Sequence, residues 1–163
     1  MVGKPVNITE MIGTPLRDIS DVERNGYTND GAVLLRNIFD VSWVDFLHDA
    51  FDLALRYPGP LSEEYTPEGN PGRFFADLDM WQRLEPFRRF VFESPAAKVA
   101  TEIMMSNRIN FFYDQMFVKE KETSERTPWH QDQPYWAVSG SQVCSVWLPL
   151  DPIGEESSLK FVK

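Results

Sequence analysis

Apolar residues recur at spacings of three and four along the earlier part of the chain and alternate with polar ones along the later part. That change of period divides the sequence. From Val41 to Arg56, Trp43, Phe46, Leu47, Ala50, Leu53 and Ala54 fall on one helical face behind Asp40, which is placed as an N-cap. The pattern predicts an amphipathic helix. Ahead of it, DVERNGYTNDG carries Asn, Asp and Gly at turn positions, and the run GAVLLRNIF predicts a first strand over 31–39. The stretch 57–72 holds Pro58, Pro60, Pro67 and Pro71 among Gly, Ser and Glu, which predicts a long loop. A helical pattern returns over 79–92 through Trp81, Leu84, Phe87, Phe90 and Val91, with a break expected at Pro86. Ser94 and Pro95 then read as an N-cap and first-turn pair, opening a helix through Val99, Ile103 and Met104.

From Asn107 onward the runs are short and strand-like: RINFFYDQMFVKE, PWHQDQPYWAV, QVCSVWLPLD and SLKFVK, with turns at Ser139–Gly140 and in IGEESS. Helical over 1–106 and β-rich over 107–163, the chain reads as a single α+β domain with helices covering an antiparallel sheet or barrel. Composition supports one packed core. The 163 residues are 42% hydrophobic and 13% aromatic, with no low-complexity tract.

Charge narrows the partners. A formal net charge of -9 and a pI near 4.7 disfavour nucleic acid and anionic membrane, which need clustered Lys and Arg. A small-molecule substrate is the expected partner. The lone Cys144 permits no internal disulfide, and no Cys/His cluster suggests structural zinc. The N-terminus lacks the apolar core of a signal peptide, and no stretch approaches the ~18 apolar residues that span a bilayer. A soluble, cytoplasmic protein is the expectation.

The chemistry concentrates in TPWHQDQPYW. In a strand, residues two apart project from one face, roughly 7 Å apart at Cα, so His130 and Asp132 are able to address one metal ion. A neutral imidazole and a carboxylate suit Fe(II), and with a further His they form a facial triad that leaves coordination positions open. An isolated H-x-D tripeptide says little. Trp129, Tyr135 and Trp136, however, are placed to wall a dry pocket around it. The other histidine, His48, lies inside the first amphipathic helix and reads as structural.

TPWHQDQPYW, followed by QVCSVWLPLD and then EESSLKFVK, resembles the phytanoyl-CoA dioxygenase family of Fe(II)- and 2-oxoglutarate-dependent oxygenases. NGYTNDGAVLLRNIF and the helix after it are similar to the family's N-terminal portion. The resemblance implies a double-stranded β-helix core, of the jelly-roll or cupin-like kind, and hydroxylation of a small organic substrate. It implies that His130 and Asp132 are catalytic iron ligands, that Gln115 touches 2-oxoglutarate, and that Trp147 lines the co-substrate pocket. Lys119 fits a strand-end lysine of the family, and equally a solvated strand end. No basic cluster is placed to receive the phosphates of CoA.

In the family, a segment like SLKFVK runs into a Gly-Ser-His turn that gives the third iron ligand, with an arginine beyond it for 2-oxoglutarate. The sequence at hand ends at Lys163. The expectation is therefore a truncated, inactive or impaired oxygenase, whose incomplete sheet edges favour homo-oligomers. The alternative is a non-catalytic fragment or degenerate homologue that binds a small molecule or forms oligomers. A cupin-like barrel using another metal would need histidines that the sequence lacks.

Overall fold

The amphipathic pattern around Trp43 becomes helix α2, Val41–Arg56, capped by the Asp40 carboxylate, which accepts a hydrogen bond from the Ser42 amide at 2.9 Å. Its buried face is Trp43, Leu47, Ala50 and Ala54, the spacing of a single helical stripe. In the computed structural model, which describes residues 13–123 and 125–162, Leu47, Ala50 and Ala54 of that stripe pack with Phe75, Met80, Phe87 and Met116 to form the larger core, while Trp43 meets the Phe46 and Phe90 rings edge to face. A smaller cluster joins Ile19, Ile38, Val99 and Ile103.

The remaining elements are α1 (Asp21–Asp30), β1 (Glu63–Glu64), β2 (Phe74–Leu78), α3 (Met80–Arg83), α4 (Glu85–Glu93), α5 (Ala96–Ile103) and β3 (Gln115–Lys119). The strands form one antiparallel sheet in the order β1-β2-β3. The break expected at Pro86 falls at Leu84, whose extended backbone separates α3 from α4. Pro86 occupies the first turn of α4, where no amide hydrogen is needed. The Ser94 hydroxyl accepts from the Ala96 amide at 3.2 Å and so opens α5.

Two expectations are corrected, and one strand goes beyond them. The turn-like DVERNGYTNDG is α1. The Ser20 hydroxyl accepts from the Glu23 amide, the Glu23 carboxylate accepts from the Ser20 amide, and Gly31 stops the helix at φ 75°. Those end signals outweigh the turn composition between them. The strand expected over 31–39 forms no ladder: Arg36 and Asn37 turn it, and Ile38 is buried among the α5 residues Val99 and Ile103. Strand β2 fell in no predicted element. Its Phe74, Phe75, Ala76 and Asp77 are all buried, so it shows none of the alternation of a half-exposed strand.

The β-rich end keeps one strand, β3. The runs around 128–138, 142–151 and 158–162 have no ladder among the described residues, and Lys163 lies outside them. The mixed helix-and-sheet architecture stands. Alternation still has an effect in 142–151, where Leu148 and Leu150 turn inward against the larger core. His48, half-exposed on α2, approaches the Leu150 carbonyl at 3.1 Å.

A hydrogen-bonded node holds the sheet to the helices. Asp77 is fully buried; it accepts from the Arg83 guanidinium, from the Gly59 amide at 3.0 Å and from the Leu78 amide at 2.8 Å. Arg83 also donates to the Tyr57 carbonyl at 2.6 Å. Immediately before β3, the Asp114 carboxylate takes the Trp81 amide at 3.1 Å, capping α3 from outside the helix. Burial pushes the Asp114 carboxyl up to about 6, with the Asp79 charge adding to the rise and the Trp81 amide and Arg83 opposing it. Glu23 is the opposite case: bidentate pairing with Arg17 and the Ser20 contacts hold it down at about 2.

Two outcomes follow. A Cβ on Gly72 would stand 2.3 Å from both the Lys121 carbonyl and the Thr123 amide, and backbone cannot step aside. Gly72→Ala should lower stability by about 2 kcal/mol in thermal or urea unfolding. The pH dependence has two limbs. Glu23, depressed when folded, contributes stability that is lost as pH falls from about 4.5 towards about 2. Asp114, raised when folded, holds a proton that the unfolded chain has released, so stability falls as pH rises from about 4 to about 6. Asp114→Asn keeps an acceptor for the Trp81 amide and should flatten the second limb alone in Tm measured against pH.

Candidate metal centre

Residues 126–142 run along the surface; in that stretch every residue but Trp136 is exposed. The segment is not the predicted strand. It bends at Trp129 and Asp132 and winds into a short 3-10 turn over Gln133–Tyr135. Pro134 in that turn removes an amide donor that a sheet ladder would need.

The bend nevertheless brings the two expected ligands together. His130 Nε2 lies 2.9 Å from Asp132 Oδ1. On its other side, His130 Nδ1 lies 2.7 Å from the Pro128 carbonyl oxygen. A carbonyl only accepts, so Nδ1 carries the hydrogen, and in the neutral ring Nε2 presents a bare lone pair. The Asp132 carboxylate presents another. Two acceptors at this distance repel unless a cation, a proton or a metal ion, serves both.

The donor set fits a first-row divalent metal. Donors about 2.1 Å from an ion and at right angles to each other stand about 3.0 Å apart, close to the spacing found. The carbonyl that fixes Nδ1 is the kind of partner that orients ligating histidines. Among the described residues no three His, Cys, Asp or Glu side chains converge, so the pair supplies two donors.

The other expected residues stand apart from it. Gln115 opens β3 opposite Leu78 and is exposed. Trp147 lies in the unladdered 142–151 run and is 46% exposed. Among the described residues, no hydrogen bond, ion pair or ring contact joins either one to the pair. Trp129 and Tyr135 do not wall a dry pocket, being 71% and 81% exposed, and the His130 and Asp132 side chains are 42% and 52% exposed. Two cavities lie away from the pair. One of about 400 Å³ sits between α2 and Pro86, and one of about 380 Å³ between Tyr27, Met104 and Gln142.

Lys119 ends β3 and reaches the same segment. Its ammonium donates to the Glu125 carbonyl at 3.1 Å and the Thr127 hydroxyl at 3.2 Å, above the Phe74 ring at 4.2 Å. Burial pushes its pKa down. The Pro128 carbonyl and Tyr113, which accepts from the Trp136 indole at 3.0 Å, were not expected from sequence. A backbone carbonyl leaves no signature there, and Tyr113 is hidden in the aromatic run Phe111, Phe112, Tyr113.

Among the described residues no helix is long and apolar enough to cross a membrane. No curated protein and no solved structure matches the chain. A family model described as phytanoyl-CoA dioxygenase (PhyH) matches residues 27–162, a span that takes in α2, the whole sheet and the His130–Asp132 bend. The chain belongs to the phytanoyl-CoA dioxygenase family.

Proposed function

We propose that the chain is an Fe(II)- and 2-oxoglutarate-dependent oxygenase that hydroxylates a small organic substrate, built on a core of the double-stranded β-helix type. The single observation that carries this reading is the His130–Asp132 pair, whose 2.9 Å separation and fixed Nδ1 hydrogen leave two lone pairs facing one cation. Iron, when bound with 2-oxoglutarate as the electron-donating co-substrate, would activate O2, the oxidant, for attack on a C–H bond. The chain's own residues hold and orient.

His130 would bind through Nε2, with Pro128 keeping its ring in the right tautomer, and Asp132 would bind through a carboxylate oxygen that also offsets the positive charge. Gln115 and Trp147 take the supporting roles. An amide at the start of β3 offers a donor to a carboxylate of the co-substrate, and an indole offers an apolar wall that excludes water. Lys119 spends two of its three N–H donors on Glu125 and Thr127, and the third suits a carboxylate.

The exposure of the pair favours one other reading, a non-catalytic homologue that binds a small molecule or pairs with its own copies. Anaerobic Fe(II) titration followed by a succinate-release assay separates the two. The oxygenase reading expects saturable binding that His130→Ala or Asp132→Ala weakens by about tenfold or more, with 2-oxoglutarate-dependent succinate release lost in both variants. Fe(II) binding equal in wild type and both variants would defeat it. Specific binding without succinate would leave the non-catalytic reading standing.

A further inference from the structure

We infer that Tyr113 and Trp136 form a latch that positions the His130–Asp132 bend, an inference that rests on the metal reading above. Trp136 is the one residue between 126 and 142 that is not exposed, so burial fixes that stretch at a single point. Its indole Nε1 donates to the Tyr113 hydroxyl at 3.0 Å. The Tyr113 ring meets it edge to face at 6.2 Å, and Phe112 does the same at 6.3 Å. Phe112 and Tyr113 are themselves edge to face at 5.1 Å, so the indole enters a corner already shaped by two rings.

Tyr113 lies two residues before β3, and Lys119 is the last residue of β3. The segment carrying the pair is therefore held from both ends of one strand. Lys119 grips it at Glu125 and Thr127, upstream of His130, and Tyr113 grips it at Trp136, downstream of Asp132. Between the grips, the Tyr135 and Trp136 amides donate to the Asp132 and Gln133 carbonyls at 2.9 Å and 3.0 Å, which makes a tight turn of the run from Asp132 to Trp136. A displacement of Trp136 is passed through that turn to the Asp132 carboxylate. Tyr113 touches neither metal nor substrate in this account; it is a positioning residue.

Tyr113→Phe keeps the ring corner and removes the acceptor from the indole N–H. Co(II), whose visible absorption reports ligation, is titrated into wild type, Tyr113→Phe and His130→Ala, with Tm and the Trp136 indole N–H resonance followed in parallel. The latch predicts a roughly fivefold weaker Co(II) affinity in Tyr113→Phe, from the loss of about one hydrogen bond. It also predicts a shifted indole resonance in a variant that is fully folded at the titration temperature. A purely structural tyrosine would lower Tm and leave the affinity of the folded chain unchanged. Wild-type affinity in Tyr113→Phe, beside a weakened His130→Ala, would overturn the latch alone. Equal Co(II) binding by wild type and His130→Ala would overturn the metal reading and the latch with it.

Discussion

Asp77 places a carboxylate with no solvent exposure in the middle strand of the sheet, and the surrounding structure is arranged to keep that charge company. Arg83 comes from α3, Gly59 from the loop after α2, and the Leu78 amide from the strand itself. A buried carboxylate stripped of its guanidinium costs several kcal/mol, so these partners are held jointly. Arg83 passes the constraint on to the Tyr57 carbonyl, which ties the end of α2 to the same point. Gly59 admits the guanidinium because a Cβ there would stand 2.6 Å from Arg83 Nε. One ion pair thus fixes how a loop, a strand and a short helix meet.

The sheet inherits that placement. With β2 fixed, its register sets Leu78 against Gln115 and Phe74 against Lys119, so both ends of β3 are located relative to the core. Met116 faces inward to the main cluster, while Phe117, on the opposite face, lies near the Phe74 ring. The His130–Asp132 bend is the outermost member of this chain of dependence: it carries little apolar burial of its own and takes its position from side chains that β3 and its approach present. A stable interior and a solvent-open His–Asp pair coexist because the bend is tethered at a few points and packed at one.

The sequence was legible where a local rule met no rival. Helix α2 appears with its predicted bounds because Asp40 and the Trp43-to-Ala54 stripe agree. The closeness of His130 and Asp132 was legible in their spacing, although the reason given, two side chains on one face of a strand, is replaced by a proline-containing bend. What escaped depends on partners distant in sequence. Strand β2 is buried along Phe74–Asp77 because Phe75 packs into the main cluster while Phe74 lies beside the Tyr65 and Phe117 rings, and its one charged residue is explained by Arg83 and Gly59, both distant from it in sequence. Helix α1 looks like a turn until Ser20 and Glu23 are seen to cap each other. The run 31–39 has the composition of a strand, but a strand needs a neighbour, and its apolar side chains go to α5 instead. The Tyr113–Trp136 contact spans 23 residues and follows from no local pattern.

The claim that these dependences serve a metal is tested most directly by diffraction from crystals of the chain soaked in Mn(II), with anomalous differences measured at the His130–Asp132 bend. The account predicts a peak about 2.0–2.2 Å from both His130 Nε2 and an Asp132 carboxylate oxygen, with Nδ1 still donating to the Pro128 carbonyl. A well-ordered bend with no peak at the pair, or with Mn(II) bound only at other carboxylates, would contradict it.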